Sequence, residues 1–284
     1  MVHRAIRRKK RGSRRLIKKR RRMTRKQGGG SPSKTIDLVI SRYKEPVSWL
    51  GLYKNKGFHR IIVYNKSDSP FECPAIENKD TKCEVIGIPN VGVCDHTYLY
   101  HIVENYDNLA DVTVFAPGSA EMDHKAQLLE TTMKKVFETK DTVFNVYDFK
   151  MSVGEAMYNF TMPTYPTGHL DNRDDLFGDS AQTLASIRPF GAWYAANFPG
   201  GQATKATFFG IMAISREHIH KKPLSFYKGL IEQVNKEKFH EASHFMERAW
   251  NASMHPIPDS CYYESEIMNF KIGHDQGGYK VMRR

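Results

Sequence analysis

A carboxylate set among aromatic residues is a candidate proton acceptor, and this chain has one. Glu247 lies in the string HFMERAW, flanked by Phe245, Met246 and Trp250. Apolar neighbours shield a carboxylate from water and raise its pKa, which brings a general base toward neutral pH. An ion pair with Arg248 or His244 is the plainer role for the same residue. His240, His244 and Glu247 recur at i, i+4 and i+7, one helical face. That spacing can hold a metal but more often marks a polar surface. A second group is Ser41-Arg42-Tyr43-Lys44-Glu45, directly behind the apolar run Ile36 to Ile40. There Arg42 would pair with a phosphate, Tyr43 would stack on a base, and Glu45 would accept from a ribose or sugar hydroxyl. The plain alternative is a structural turn with Glu45 capping the next helix. Trp193 and Tyr194 offer aromatic faces for the C–H groups of a sugar, or else fill a core. Gly210 stands among bulky residues in TFFGIMAI, as expected where backbone must approach a ligand or another chain closely. GxGxxG, Walker, HExxH and GxSxG strings are absent, so the usual dehydrogenase, nucleotide triphosphatase, zinc protease and hydrolase signatures are missing.

These residues need a frame. Short apolar, β-branched runs predict strands at Ile36 to Ile40, Arg60 to Tyr64, Glu84 to Ile88, Asp111 to Phe115, Thr142 to Val146 and Thr207 to Ile214. Helical spacing predicts helices over Asp95 to Tyr106, His124 to Thr139, Pro223 to Val234 and Glu241 to Asn251. Val47 to Leu52 reads as a helix or turn, and Asp148 to Pro189 as an irregular excursion. Short apolar strands alternating with helices predict an α/β domain with a mostly parallel, helix-covered sheet. Ligands bind such sheets at the carboxyl ends of the strands. The polar clusters SRYKE, PNVG and APGS all fall there, so one shared cleft is expected, with Asn90 and His96 lining it.

The charge is divided unevenly. Residues 1–26 hold 15 Lys or Arg and no Asp or Glu; the whole chain has 43 basic and 31 acidic residues, which leaves 28 against 31 for the rest. The expected organisation is a disordered basic arm and Gly/Ser linker over 1–34, then one domain over 35–284. Such an arm reads as a solvated tail or as a binder of nucleic acid or another polyanion through phosphate contacts. No apolar segment follows the basic start as in a signal peptide, and no stretch has the length of a membrane span. The expected location is the cytoplasm of the producing cell, with the nucleus or a virion as alternatives, and not secretion. Cys73, Cys83, Cys94 and Cys261 form no CxxC pair and read as reduced thiols. The sequons at Asn65, Asn159 and Asn251 would then stay unused.

Four strings in order, IDLVISRYKEPVSWL, NVGVCDHTYLYHIVENYDNLADVTVFAPG, FFGIMAISREHIHKKPLSFYKGLIEQV and HFMERAW, resemble an uncharacterised family of fungi, algae and large DNA viruses. That family is similar to glycosyltransferases of the GT-A type. The resemblance covers most of residues 37–250 and implies a single Rossmann-like GT-A-type domain that binds a nucleotide sugar. It implies that Ser41, Arg42, Tyr43 and Glu45 contact the donor and that Glu247 deprotonates the acceptor. Two departures accompany it. The Asp-x-Asp that usually holds a divalent metal on the diphosphate is missing from DVTVFAPGSAEMD, where Asp123 and His124 are the nearby substitutes for Mn²⁺ or Mg²⁺. An Arg-Glu pair common after the Asn-x-Gly turn is replaced by Val93 and Cys94. The basic start also resembles the starts of proteins encoded by large algal DNA viruses.

Together these readings point to a glycosyltransferase moving a sugar from a nucleotide sugar to a glycan or protein hydroxyl, with Trp193 and Tyr194 on the acceptor side. The alternative is a non-catalytic structural or virion protein that keeps the fold and binds nucleic acid with its arm. Convergence of Arg42, Tyr43, Asp123 and Glu247 on one open cleft would favour the enzyme.

Overall fold

The computed structural model describes residues 33–148, 158–161, 184–200, 205–236, 240–264, 270–272 and 279–281. The basic arm and most of the excursion between 148 and 189 lie outside the described residues. The chain divides into two units, Met1–Ser33 and Lys34–Arg284.

The apolar runs become strands because their side chains alternate between two layers. In β1 (Ile36–Arg42), every residue of which is buried, Leu38 and Ile40 enter one core cluster and Val39 the other. The same division holds for Ile61 and Val63 against Ile62 and Tyr64 in β2 (Arg60–Asn65). It holds again for Val112 and Val114 against Phe115 in β4 (Val112–Pro117). A strand apolar on both faces belongs in the middle of a helix-covered sheet.

With β3 (Lys82–Gly87), β5 (Val143–Asp148), β6 (Lys205–Ser215) and β7 (Tyr262–Glu264), these form a seven-stranded sheet in the order β3-β2-β1-β4-β6-β5-β7. β6 alone runs against its neighbours: it pairs antiparallel with β4 and β5, and every other pairing is parallel. The expected mostly parallel α/β sheet is therefore present. A separate antiparallel pair joins β8 (Phe270–Ile272) and β9 (Tyr279–Val281). One face of the large sheet is covered by α1 (Val93–Glu104), α3 (Phe190–Asn197), α5 (Leu224–Val234) and α6 (Glu241–Ser253). The other is covered by α2 (Asp123–Thr139) and the 3-10 turn Ser48–Leu52. The four-residue α4 (Arg216–Ile219) follows β6. No helix among the described residues is long and apolar enough to cross a membrane.

At the amino end of β1, Asp37 is fully buried and accepts from Arg60 at 2.8 Å, with His59 Nδ1 at 3.0 Å. A buried carboxylate needs such partners, and this one ties β1 to β2. The cysteines require a correction. Cys73 and Cys83 form a disulfide, with Cα atoms 6.0 Å apart; only Cys94 and Cys261 are free thiols. The pairing fastens edge strand β3 to the loop before it. Disulfides persist in oxidising surroundings, so the expectation of four reduced thiols fails for this pair.

Closing a loop of this length is worth about 2–4 kcal/mol through the unfolded chain. Replacing both Cys73 and Cys83 by Ser should lower the melting temperature by several degrees. Adding a reductant should lower that of the wild type equally and leave the double variant unmoved. A reductant-insensitive wild type would show that the bridge does not form in solution.

Candidate active site at the carboxyl ends of the strands

The sheet reverses its winding between β1 and β4, and an open parallel sheet has its crevice at such a switch point. Segments at this end of the sheet carry backbone that ordinary side chains avoid. Val47, Val93 and Phe209 all have positive φ, at 56°, 42° and 68°. Strained residues persist only where their surroundings hold them, and they concentrate at functional sites. Phe209 and Gly210, the latter at φ 64°, form a bulge in β6 just beyond its pairing with β4. A Cβ on Gly210 would meet Cys94 Sγ at 2.8 Å and Tyr98 at 3.4 Å. The close approach at this glycine is to α1 of the same chain, where a ligand or another chain was expected.

Two hydrogen bonds lock the bulge and a third ties the helices that make them. Tyr98 Oη donates to Gly210 O at 2.9 Å, Phe209 N–H donates to Glu247 Oε1 at 2.9 Å, and Trp250 Nε1–H donates to buried Asp95 Oδ1 at 2.6 Å. Helices α1 and α6 are so joined across β6. Glu247 also meets Arg248 at 3.2 Å and keeps about a quarter of its side chain exposed.

Around this junction lies a set of ionisable groups that act on one another. Burial, and then the charge of Glu247, push the Asp95 carboxyl up to about 8, against the Trp250 hydrogen bond and Lys66. Burial, then Asp95 and Glu247, push the half-buried Cys94 thiol well above its usual value. Lys66, at the end of β2, is brought down to about 8 by burial although Cys94, Asp95 and Glu45 pull the other way. Its ammonium donates to the carbonyls of Val91 and Val93, which holds it beneath the amino end of α1. Lys125, in the first turn of α2, donates to Ser119 at 2.8 Å. Burial lowers its pKa, opposed by Cys94, Glu247 and Glu45. Burial, and then Lys66, lower His96 to about 4, so its ring is neutral at pH 7. Its Nδ1 is buried without a hydrogen-bond partner among the described residues. Three carboxyls (Asp95, Glu247 and Glu45), two ammonium groups and a neutral imidazole thus share one end of the sheet.

The anticipated residues are distributed unevenly over this frame. Glu247, Glu45 and His96 belong to the set. Ser41 lies at the end of β1, its hydroxyl 2.9 Å from that of Thr97. Arg42 is near but otherwise engaged. It is 4% exposed and donates to Glu45 O, Tyr43 O, Asn65 Oδ1 and Ser69 O, with its guanidinium 4.9 Å from the Phe71 ring centre. That makes it the clamp of the loops after β1 and β2. Glu45 Oε2 accepts from Tyr43 and Lys44 N–H at 2.7 and 3.1 Å, closing the same turn. The half-buried Tyr43 has the Lys44 ammonium 5.2 Å from its ring centre. Asn90 is half-buried after β3.

Two expectations are corrected. Trp193 and Tyr194 are 1% and 5% exposed, packed with Phe190 and Phe198. Trp193 donates its N–H to Gln233 at 2.6 Å. A sugar platform needs an open ring face, and burial denies it to both. Asp123 makes no contact with Glu247 among the described residues. It lines an open groove of about 730 Å³ between the Ser48–Leu52 turn and α2, with Trp49, Tyr53, Glu121 and Glu130. The side chain of His124 lies outside those described. Among the described residues no contact brings Arg42, Tyr43, Asp123 and Glu247 together; Glu247 acts on Asp95 and Lys125, and Lys66 acts on Asp95. Asp95, Lys66 and Lys125 carry no spacing signature, and only their places just after strands or at helix starts signal them.

No protein-family model matches this chain, and no curated protein matches it.

The raised pKa of Asp95 has a consequence for stability. A carboxyl whose folded pKa lies above its unfolded value favours folding only while protonated, so its contribution declines as pH rises from about 4 to about 8. Asp95→Asn, which still accepts from Trp250, should stabilise the fold at pH 8 by at least about 1.4 kcal/mol, the worth of one pKa unit. The gain should vanish toward pH 4. Denaturant melts of both proteins at pH 4, 6 and 8 check this; a difference independent of pH would mean that Asp95 ionises normally.

Proposed function

We propose that the chain is a glycosyltransferase of GT-A type that uses a nucleotide sugar without depending on an Asp-x-Asp metal site. The observation that carries the reading is the meeting of Glu247 with Lys125 and Asp95, and of Asp95 and Glu45 with Lys66, at the β1/β4 switch point. The half β3-β2-β1 joined to β4 is the winding of nucleotide-binding sheets, which gives the resemblance a physical basis.

Transfer requires a base for the acceptor hydroxyl and positive charge for the departing diphosphate. Glu247 takes the hydroxyl proton while the acceptor oxygen attacks the anomeric carbon. The bond from that carbon to the diphosphate oxygen breaks, and its electron pair leaves with the nucleoside diphosphate. Lys66 and Lys125 stabilise that charge from fixed positions, as preorganised donors do. The amino end of α1 adds its partial positive charge. His96 supplies a neutral ring whose Nδ1 awaits a polar partner. Arg42 and Glu45 shape the donor loop from behind.

A panel of nucleoside diphosphate sugars, screened by thermal shift and then by turnover, tests the reading. Glu247→Gln should reduce turnover by about 10²–10⁴-fold and leave donor binding intact. Lys125→Gln should weaken nucleoside diphosphate binding by about 10- to 150-fold, the worth of a charge-assisted hydrogen bond. Failure of every nucleotide sugar to bind the intact protein would favour the non-catalytic reading. Full activity in Glu247→Gln would remove the base.

A further inference from the structure

At the opposite end of the sheet, where the parallel strands begin, three side chains from three separate segments come together. Asp141 lies in the turn between α2 and β5, His218 in α4, and Cys261 in the 3-10 turn that leads into β7. One donor atom from each lies within 4.8 Å of the others, the only such trio of His, Cys, Asp or Glu among the described residues. His218 and Cys261 are 4% and 1% exposed, whereas Asp141 opens to solvent. We infer that Asp141, His218 and Cys261 form a binding site for a transition-metal cation of the Zn²⁺ type.

The donor set argues for that class. Thiolate, imidazole and carboxylate suit Zn²⁺ and its neighbours, whereas Mg²⁺ and Ca²⁺ take oxygen alone. The charge closes: a dication against one thiolate and one carboxylate is neutral, which a nearly buried site requires. Binding would release the Cys261 thiol proton to water. Bond lengths of about 2.0–2.3 Å in a tetrahedron place donors about 3.3–3.7 Å apart, so the three must draw in slightly. Solvent-exposed Asp141 has the freedom to do this, and water completes the fourth position on its side.

The imidazole is already oriented. His218 Nδ1 lies 2.6 Å from Thr142 Oγ1 and 3.0 Å from Ser215 Oγ, while Ser215 caps α4. These hydroxyls set the orientation of the ring before any ion arrives. The same Nδ1 faces Asp141 Oδ1 at 3.8 Å, so it is the ligand nitrogen, and the two hydroxyls turn aside when it binds the ion. The nearby cations are directed elsewhere: Lys221 donates to Pro256 O and Lys34 to Lys140 O. The three ligands join β5, α4 and the start of β7. A bound ion would therefore staple the edge of the sheet, at the end opposite Glu247 and independent of any transfer reaction.

The full chain, stripped with chelator and titrated with Zn²⁺ and with Co²⁺ alone, tests this. One equivalent should bind, raise the melting temperature, and with Co²⁺ give the near-ultraviolet band of a thiolate–cobalt bond. Cys261→Ser should lose that band, and Asp141→Asn, a change at an exposed side chain, should weaken binding at least about tenfold with folding intact. Absence of stoichiometric binding to the wild type would overturn the inference. So would an unchanged Co²⁺ band in Cys261→Ser, which would place the ion on Cys94, or equal affinity in Asp141→Asn.

Discussion

The candidate site depends on the bulge at Phe209–Gly210. β6 is the one reversed strand of the sheet, so it enters the carboxyl end from outside and must bend past β4. The bend puts two consecutive residues at positive φ, which a bulky residue such as Phe209 adopts only under constraint. The constraint is mutual. Glu247 takes the Phe209 N–H that the bulge removes from the ladder, and Tyr98 takes up the Gly210 carbonyl. A buried backbone group left unmatched would be unfavourable by about 1–3 kcal/mol. The same bonds that satisfy the bulge therefore fix the positions of α1 and α6 and aim the carboxylate of Glu247.

The electrostatics follow from that packing. Joining α1 to α6 forces Asp95 and Glu247 into proximity inside a poorly solvated region, where two like charges are unfavourable. Asp95 responds by holding its proton, with the Trp250 N–H as partner. Lys66 and Lys125 bring positive charge to the same place at a desolvation penalty that lowers both pKa values. A fold selected for stability alone would replace such a cluster with apolar groups. Keeping it at a strand-end crevice fits a site where charge on a ligand completes the balance.

Much of the frame was legible in the residues. The β-branched runs of β1, β2 and β4 became strands with both faces buried, whereas β3 pairs as an exposed edge, and Gly210 marked a close approach because nothing larger fits against Cys94. Glu247 was legible from its aromatic neighbours, although it is the backbone of Phe209 that holds it. Other features were hidden for physical reasons. Cys73 and Cys83 are ten residues apart in a loop-to-edge pairing that no spacing rule specifies. Arg42 had the residue type for a phosphate, but its turn folds back so that four oxygens surround it. Trp193 and Tyr194 carry the same aromatic signal whether a ring faces sugar or core, and only packing decides. Lys66, Asp95 and Lys125 meet through tertiary structure alone.

The reversal of β6 also explains why the two ends of the sheet differ chemically. At the carboxyl end the strand arrives through a bulge and leaves room for ionisable groups from four segments. At the other end it finishes in register with β4, where Ser215 lies opposite Val112. There the chain turns at once into α4, and Arg216 pairs with Asp111 at 2.5 Å, tying the exit of β6 to the residue before β4. This end is therefore rigid, and the His218 ring is fixed within it by Thr142 and Ser215. Rigidity suits a structural ion, whereas a catalytic crevice needs groups that a ligand can still repolarise. One reversed strand thus supplies a fixed floor and a responsive rim from the same eleven residues.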